Sequence, residues 1–260
     1  MNRRDAHSSS PTPALSFHSV QLTYPDGFVA LNDVSFELDA GGFLALTGPS
    51  GCGKTSVLHM LAGLLQPTSG NVLVAGETPS RAKGVACCFQ DPRLLPWRTV
   101  GANVALPLEI DGVSAPDRMH RAEEALARVG LEEVVDRLPH QLSGGMRMRV
   151  SIARALVVRP RVLLLDEPFG ALDEVTREQL DDELLRLWEE DRMTVAIVTH
   201  SLREAVYLAQ RVLVMAGSAG PLIADTPIEF GARTASTRTD HAFNDEVGRV
   251  QRLHRSAGTR

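Results

Sequence analysis

The chain has 260 residues, of which 43% are hydrophobic and 23% charged, so it can bury a substantial core as ordinary globular proteins do. Its formal net charge of −5 argues against a nucleic-acid partner, because proteins that bind nucleic acids usually present a basic face. No membrane span is expected, because no apolar stretch approaches the ~20 residues that a span needs. No zinc site is expected either, because the spacing of Cys52, Cys87 and Cys88 is not that of metal ligands.

The amino-terminal part of the chain is predicted to be a polar tail followed by antiparallel β-structure. Residues 1–13 are polar, with two prolines and a run of serines, which predicts a disordered tail. The alternation of apolar and polar side chains over 15–24 predicts a half-buried strand. After the turn sequence PDGF, residues 30–42 predict a second strand that ends in a glycine turn.

Five short apolar runs then predict the strands of a parallel sheet, at residues 43–48, 85–89, 162–166, 195–200 and 212–215. Such runs are typical of strands that are covered on both faces, and stretches at helical spacing lie between them. The alternation predicts an α/β fold in which the chemistry lies at the carboxyl ends of the strands.

Two further blocks are predicted to be helical or largely polar. Residues from about 92 to 145 hold no convincing strand but two stretches at helical spacing, which predicts a helical lobe inserted into the α/β core. Residues 231–260 are mostly polar and predict a C-terminal extension. A short helix is expected over 243–256, because apolar residues recur there at helical intervals.

A phosphate-binding loop follows the first apolar strand. The sequence GPSGCGKTS fits the pattern G-x-x-x-x-G-K-[ST] in full and runs into an apolar helical stretch. Its glycines let backbone N–H groups converge on phosphate oxygens at the positive end of a helix. Lys54 is expected to reach the outer phosphates and Thr55 to bind Mg²⁺, which leaves kinase, GTPase and ATPase open. The predicted nucleotide contacts in this loop are Gly48, Pro49, Ser50, Gly51, Cys52, Gly53, Lys54, Thr55 and Ser56.

Polar side chains stand at the ends of three apolar strands. Asp166 closes the run VLLLD and is placed to hold the shell of Mg²⁺, while Glu167 beside it is placed to polarise an attacking water. A carboxylate of this kind favours hydrolysis over transfer to an acceptor hydroxyl. Gln90 and His200 end two other strands at the same edge, where both can face the γ-phosphate.

Two features have interpretations that the residues alone leave open. Tyr24 can stack on an adenine ring or fill the core. Ser143, Gly144 and Gly145 open a helix, which indicates either a simple N-cap or a second anion site. Because one nucleotide has one γ-phosphate, a second anion site predicts two copies of the chain, head to tail, with each ATP between them.

Taken in order, these motifs resemble the ATP-binding subunit of an ABC transporter over residues from about 15 to 215. The resemblance rests on Walker A in GPSGCGKTS, a Q-loop at Gln90, LSGGM, Walker B in VLLLDEP, a D-loop at Asp173 and a switch histidine at His200. It implies a P-loop NTPase core of mostly parallel sheet with flanking helices. An N-terminal antiparallel β subdomain and the inserted helical lobe complete a domain over 14–230.

The resemblance also implies roles for individual residues. Mg-ATP is the expected ligand, with Thr55, Gln90 and Asp166 as candidate metal ligands and Tyr24 as the adenine stacker. Glu167 is then the catalytic base, and His200 contacts the γ-phosphate. Ser143, Gly144 and Gly145 contact the ATP of the partner chain in a head-to-tail homodimer.

Within the family, FQDPRLLPWRTVGANVALPLE and LSGGMR are most similar to importers of nitrate, taurine, alkanesulfonates and related small solutes. This implies a separate membrane permease, a periplasmic or extracellular solute-binding protein, and a place on the cytoplasmic face of the inner membrane. The alternatives are an importer of a pyrimidine-type vitamin precursor and a soluble ABC ATPase that does not transport. Met148 departs from the family pattern, which usually has glutamine there.

The segment after Gln90 is the candidate permease contact. In the family this region lines the groove that accepts a short helix of the membrane subunit, and Trp and Arg are favoured interface anchors. A Trp97 buried in the core of the helical lobe is the alternative. The residues of the candidate contact are Leu95, Pro96, Trp97 and Arg98.

Overall fold

The computed structural model describes residues 12–217, 221–231 and 233–258, so most of the predicted tail over 1–13 lies outside the described residues. Nine strands occur within these ranges, in the order β1 (Leu15–Thr23), β2 (Val29–Leu38), β3 (Phe43–Thr47), β4 (Ser69–Val74), β5 (Val85–Cys88), β6 (Val162–Asp166), β7 (Thr194–Val198), β8 (Arg211–Met215) and β9 (Leu222–Pro227).

The α-helices of the described residues connect and cover these strands. In chain order they are α1 (Lys54–Leu61), α2 (Val100–Ile110), α3 (Ala115–Arg128), α4 (Gly144–Leu156), α5 (Glu174–Asp191), α6 (Leu202–Leu208) and α7 (His241–Gly258). Between β5 and β6 the described chain forms α2, α3, α4 and two short 3-10 turns, without a strand.

A small antiparallel sheet has the strand order β2-β1-β4. The β1–β2 hairpin turns at Gly27, whose φ of 86° is a conformation that glycine adopts without strain. Strand β4 was not predicted from the sequence, because its first three residues are polar and exposed. Only Val72 and Val74 of β4 are buried, too few to show an alternating pattern.

The second sheet has the order β5-β6-β7-β3-β8-β9, in which the first five strands are parallel and β9 is an antiparallel edge. The register places Leu46 of β3, Val198 of β7 and Asp166 of β6 in one row. The residues that follow these strands therefore meet at one edge. The predicted α/β fold with a mostly parallel sheet is confirmed, and β9 is an addition to it.

Two apolar clusters cover the two faces of the parallel sheet. Successive residues of β3 alternate between them, so that Leu44 and Leu46 face the antiparallel sheet and α1, while Phe43 and Ala45 face the helices on the other side. This burial on both faces explains why the parallel strands are continuous apolar runs.

The C-terminal segment packs on the core instead of extending from it. Helix α7 is longer than the helix predicted over 243–256 and contacts α6, β8 and β9. Phe243 and Val250 are fully buried, and the Phe243 ring meets that of Tyr207 edge-on at 6.4 Å between centroids. The polar composition of 231–260 reflects the outer face of a helix whose inner stripe is apolar.

Candidate nucleotide site

The phosphate loop wraps around the Lys54 side chain. Gly53 caps α1 with a φ of 97°, and a Cβ at this position would lie 2.7 Å from the carbonyl oxygen of Ala30. Only glycine therefore fits. Lys54 is 5% exposed, and its Nζ donates hydrogen bonds to the carbonyls of Gly48 and Pro49, each at 2.9 Å. The ammonium group thus lies inside the loop, where phosphate oxygens are expected.

Thr55 and Asp166 join the phosphate loop to the end of β6. The Thr55 hydroxyl donates to Asp166 Oδ1 at 3.1 Å. Burial raises the pKa of Asp166, although the Thr55 hydrogen bond acts in the opposite direction. A hydroxyl and a carboxylate at this spacing are oxygen donors of the kind that Mg²⁺ prefers, so the residues present fit the metal.

Glu167 and His200 face each other across the ends of β6 and β7. The Glu167 N–H donates to the carbonyl of Val198 at 2.9 Å, which fixes the backbone just beyond β6. Glu167 also has a φ of 48°, a strained conformation for a residue other than glycine. His200 Nε2 lies 2.5 Å from Glu167 Oε1. The structure therefore brings a carboxylate and an imidazole together beside the phosphate loop.

One cavity of about 340 Å³ contains most of the predicted nucleotide contacts. Tyr24 is half-buried at its edge, and its hydroxyl lies 3.0 Å from Ser56 Oγ. Phe28 stacks beside Tyr24 at 6.4 Å between ring centroids and also lines the cavity, yet sequence reasoning missed it. The sequence feature that could have indicated this role is that Phe28 is an aromatic residue at the end of the PDGF turn that follows Tyr24. The loop residues that line the cavity are Ser50, Gly51, Gly53, Lys54, Thr55 and Ser56.

A neighbouring cavity of about 380 Å³ holds Gln90 together with Glu167 and His200, which both cavities share. Gln90 lies just beyond β5, and its Nε2 is 3.9 Å from where a Cβ on Gly170 would stand. Three of the polar residues predicted at the strand ends are thus adjacent, at the edge where the parallel strands end.

The Ser143 segment lies apart from these cavities. Ser143 caps α4 by accepting a hydrogen bond from the Met146 N–H at 3.2 Å, and neither it nor Gly144 or Gly145 is among the described residues that line them. A Cβ on Gly145 would come within 2.9 Å of the Thr176 side chain, so close packing against α5 requires glycine. The N-cap interpretation therefore holds within one chain, and a role in the partner's site stays a prediction.

Asp173 and Thr176 start α5 with a pair of hydrogen bonds. The Asp173 carboxylate accepts from the Thr176 N–H at 3.0 Å and from the Thr176 hydroxyl at 2.7 Å, which lowers the pKa of Asp173. The D-loop residue predicted from the sequence is therefore an N-cap in this chain.

The segment 95–98 presents Trp97 to solvent. Trp97 is 74% exposed, which rules out the alternative of a tryptophan in the core of the helical lobe. Arg98 is held by Glu109 through two hydrogen bonds of 2.9 and 3.0 Å. Asn103, which sequence reasoning missed, is fully buried; it accepts from the Leu95 N–H at 2.7 Å and donates to carbonyls of the segment.

Met148, which departs from the family pattern, is buried, and the thiols of Cys87 and Cys88 have raised pKa values. Met148 is 3% exposed and lies in the larger apolar cluster, where a thioether packs without needing a partner. Burial raises the pKa of Cys87 to about 12 and that of Cys88 to about 11. All three cysteines are free, and the described residues contain no cluster of metal-ligating side chains.

The sequence profile of the ABC transporter family matches residues 31–170. The chain belongs to the ABC transporter family. It is 43% identical over 235 residues to a putative ATP-binding protein of Brucella abortus (strain 2308), covering 89% of each chain. It is also 40% identical to a taurine import ATP-binding protein of Escherichia coli (strain K12), covering 85% of this chain and 87% of the relative.

Solved ABC structures share the fold. The cbiO1 part of an ABC transporter complex from Clostridium perfringens matches with a TM-score of 0.75 and 27% identity, covering 83% of this chain and 89% of that one. An ATP-binding cassette solved as a dimer with ADP and Pi matches with a TM-score of 0.74 and 32% identity, covering 84% and 100%. This ABC chain accordingly binds ATP and couples its hydrolysis to transport. Among the described residues, no helix is long and apolar enough to cross a membrane.

Proposed function

We propose that this ABC ATPase powers the import of a small solute of the taurine, alkanesulfonate or nitrate type through a separate membrane permease. The geometry that carries the proposal is the pair formed by Glu167 and His200, 2.5 Å apart at the mouth of the phosphate-loop cavity. The class of solute is supported by relatives described as taurine import ATP-binding proteins, which are 40–44% identical to this chain.

The hydrolytic step is assigned to side chains that line the two cavities. The Glu167 carboxylate accepts a proton from a water whose oxygen bonds to the γ-phosphorus, while the bond from that phosphorus to the β–γ bridging oxygen breaks and ADP leaves. His200 and Gln90 face the γ-phosphate and the water. Lys54 stabilises negative charge on the outer phosphates.

Mg²⁺ is assigned to the oxygen donors at the end of β6. Thr55 of α1 and Asp166 would hold the ion, and Gln90, just beyond β5, would complete the set; the 3.1 Å contact between Thr55 and Asp166 supports this. When bound, the ion neutralises charge that develops on the phosphate oxygens. The rings of Tyr24 and Phe28 provide an aromatic surface against which the adenine ring can pack.

A head-to-tail homodimer completes each ATP site. Ser143 is exposed at the N-terminus of the 13-residue helix α4 and is not among the described residues that line the two cavities above. The helix end and the serine hydroxyl suit the γ-phosphate of ATP bound by a partner chain. Dimeric ABC cassettes among the structural neighbours support this arrangement.

The permease contact is assigned to 95–98 in the helical lobe. Trp97 provides an exposed aromatic anchor beside Pro96, and the bonds from Asn103 and Glu109 hold the segment in shape. The ATPase is then peripheral at the cytoplasmic face of the membrane. A periplasmic or extracellular binding protein delivers the solute to the permease.

Co-purification with the permease from the native membrane, followed by reconstitution in vesicles, tests the proposal. The binding protein is supplied with taurine, an alkanesulfonate, nitrate or a pyrimidine-type vitamin precursor, and ATP hydrolysis is measured for each. Stimulation by a sulfonate or nitrate is expected. Stimulation by the pyrimidine alone would assign the chain to the other importer group, and failure to co-purify any membrane protein would overturn the transport role.

A further inference from the structure

The backbone on both sides of His200 is held by the side chain of Thr199. The Thr199 hydroxyl accepts a hydrogen bond from the Ser201 N–H at 2.9 Å and donates its own proton to the carboxylate of Glu204. Ser201 in turn accepts from the Glu204 N–H at 3.2 Å. Residues 199 and 201 are thus tied to the start of α6, and His200 stands between them.

Glu204 is a buried carboxylate, and one of its two oxygens can accept a further hydrogen bond. It is 4% exposed, and its Oε1 has no hydrogen-bond partner among the described residues. Burial raises the pKa of Glu204, while the Thr199 hydrogen bond and the charge of Arg177 act in the opposite direction. Arg177 also donates to the carbonyls of Phe169 and Leu172, in the loop that leads from Glu167 to α5.

Asp181 of α5 and Arg238 of the C-terminal segment line one pocket together with Glu204. Asp181 is buried nearby, and its pKa is raised strongly by burial and by the charge of Glu204. Arg238, from the 3-10 turn before α7, offsets part of that charge. It is 8% exposed, lies 3.8 Å from Asp181 and 2.7 Å from Asp182, and stacks over the Tyr207 ring at 3.6 Å.

We propose that Glu204 is a positioning residue for His200, acting through Thr199. The proposal rests on the role assigned to His200 above. Its physical basis is that a loop fixed on both sides loses little conformational freedom when its imidazole meets the γ-phosphate.

The test uses the full chain and compares near-isosteric substitutions with truncations to alanine. Thr199→Val removes the hydroxyl isosterically, Glu204→Ala removes the acceptor, and Glu204→Gln keeps an acceptor oxygen for Thr199. Thr194→Val is the matched control, since Thr194 is equally buried at the other end of β7 and its hydroxyl accepts from the Gly41 N–H at 3.0 Å. His200→Ala is the reference for loss of the imidazole.

Four quantities are measured: kcat and KM for ATP, the Kd of fluorescent ATP and ADP analogues without metal, and the thermal midpoint. Thr199→Val and Glu204→Ala should lower kcat about tenfold, which corresponds to ~1.4 kcal/mol. They should weaken ATP binding and leave ADP binding unchanged, because only ATP carries the phosphate that His200 faces. Glu204→Gln should restore most of kcat, and Thr194→Val should lower the thermal midpoint but keep kcat.

The outcomes separate this proposal from the proposed function. If Thr199→Val and Glu204→Ala keep kcat and ATP affinity while His200→Ala loses both, the positioning role is wrong and the role of His200 stands. If His200→Ala itself keeps both, the role assigned to His200 fails. An equal loss of kcat in Thr194→Val would show general destabilisation and overturn the proposal. Should Glu204→Ala not fold, Thr199→Val and Glu204→Gln still decide it.

Discussion

Asn103 lies outside the candidate permease contact 95–98 but holds its backbone through hydrogen bonds, so replacing Asn103 should change the shape of the segment. Its Oδ1 accepts from the Leu95 N–H at 2.7 Å, and its Nδ2 donates to the carbonyls of Leu95, Arg98 and Thr99 at 3.0–3.1 Å. Two N–H groups serve three acceptors, so Asn103→Ala removes about three hydrogen bonds in a fully buried site. At ~1 kcal/mol each, the free energy of unfolding should fall by about 3 kcal/mol.

Urea unfolding of the purified chain measures this loss, with Asn244→Ala as the control. Asn244 is exposed on α7, and its hydrogen bonds to Arg203 and to the Asp240 carbonyl are exposed to water, so its replacement should change the free energy of unfolding by less than ~1 kcal/mol. Folded Asn103→Ala should also lose stimulation by the permease, because segment 95–98 is no longer held. A loss below ~1 kcal/mol, or full stimulation by the permease, would refute this account of the segment.

The remaining predictions concern the ATP site. Glu167→Gln should bind ATP yet turn over about 10²- to 10⁴-fold more slowly, since the amide cannot accept the proton of the attacking water; wild-type turnover in a phosphate-release assay would remove Glu167 from the mechanism. Ser143→Arg should bind nucleotide but remain monomeric with ATP, because a long cation replaces the exposed cap of α4 at the proposed interface. Dimers of that variant in light scattering would contradict the head-to-tail arrangement.

The positions of the candidate site residues were predictable because these residues occur in short, contiguous patterns. The phosphate loop needs glycines at fixed offsets, and Gly53 shows why, since a side chain there would collide with Ala30. Asp166 ends β6 with Glu167 just after it, and His200 lies two residues beyond β7; parallel strands bring such ends to one edge. The spacing within each motif, and the rule that parallel strands end at the same edge of a sheet, were sufficient to predict that these residues lie together.

Other features depend on partners that are distant in the chain. Strands β4 and β9 carry weak patterns and form only because β1 and β8 offer them an edge to pair with. The exposure of Trp97 is set by how Asn103 and Glu109 hold its segment. Neither fact is contained in the local periodicity.

By itself, the sequence of this ABC chain determined the fold class and predicted which side chains meet beside the phosphate loop, because backbone geometry and strand order constrain their positions locally. The tertiary structure decided what supports them. Glu204, Asp181 and Arg238 come from α6, α5 and the turn before α7, and each is an unremarkable charged residue in its own stretch of sequence. Packing of the whole chain buries them around one pocket, which Ser201 of the loop that carries His200 also lines.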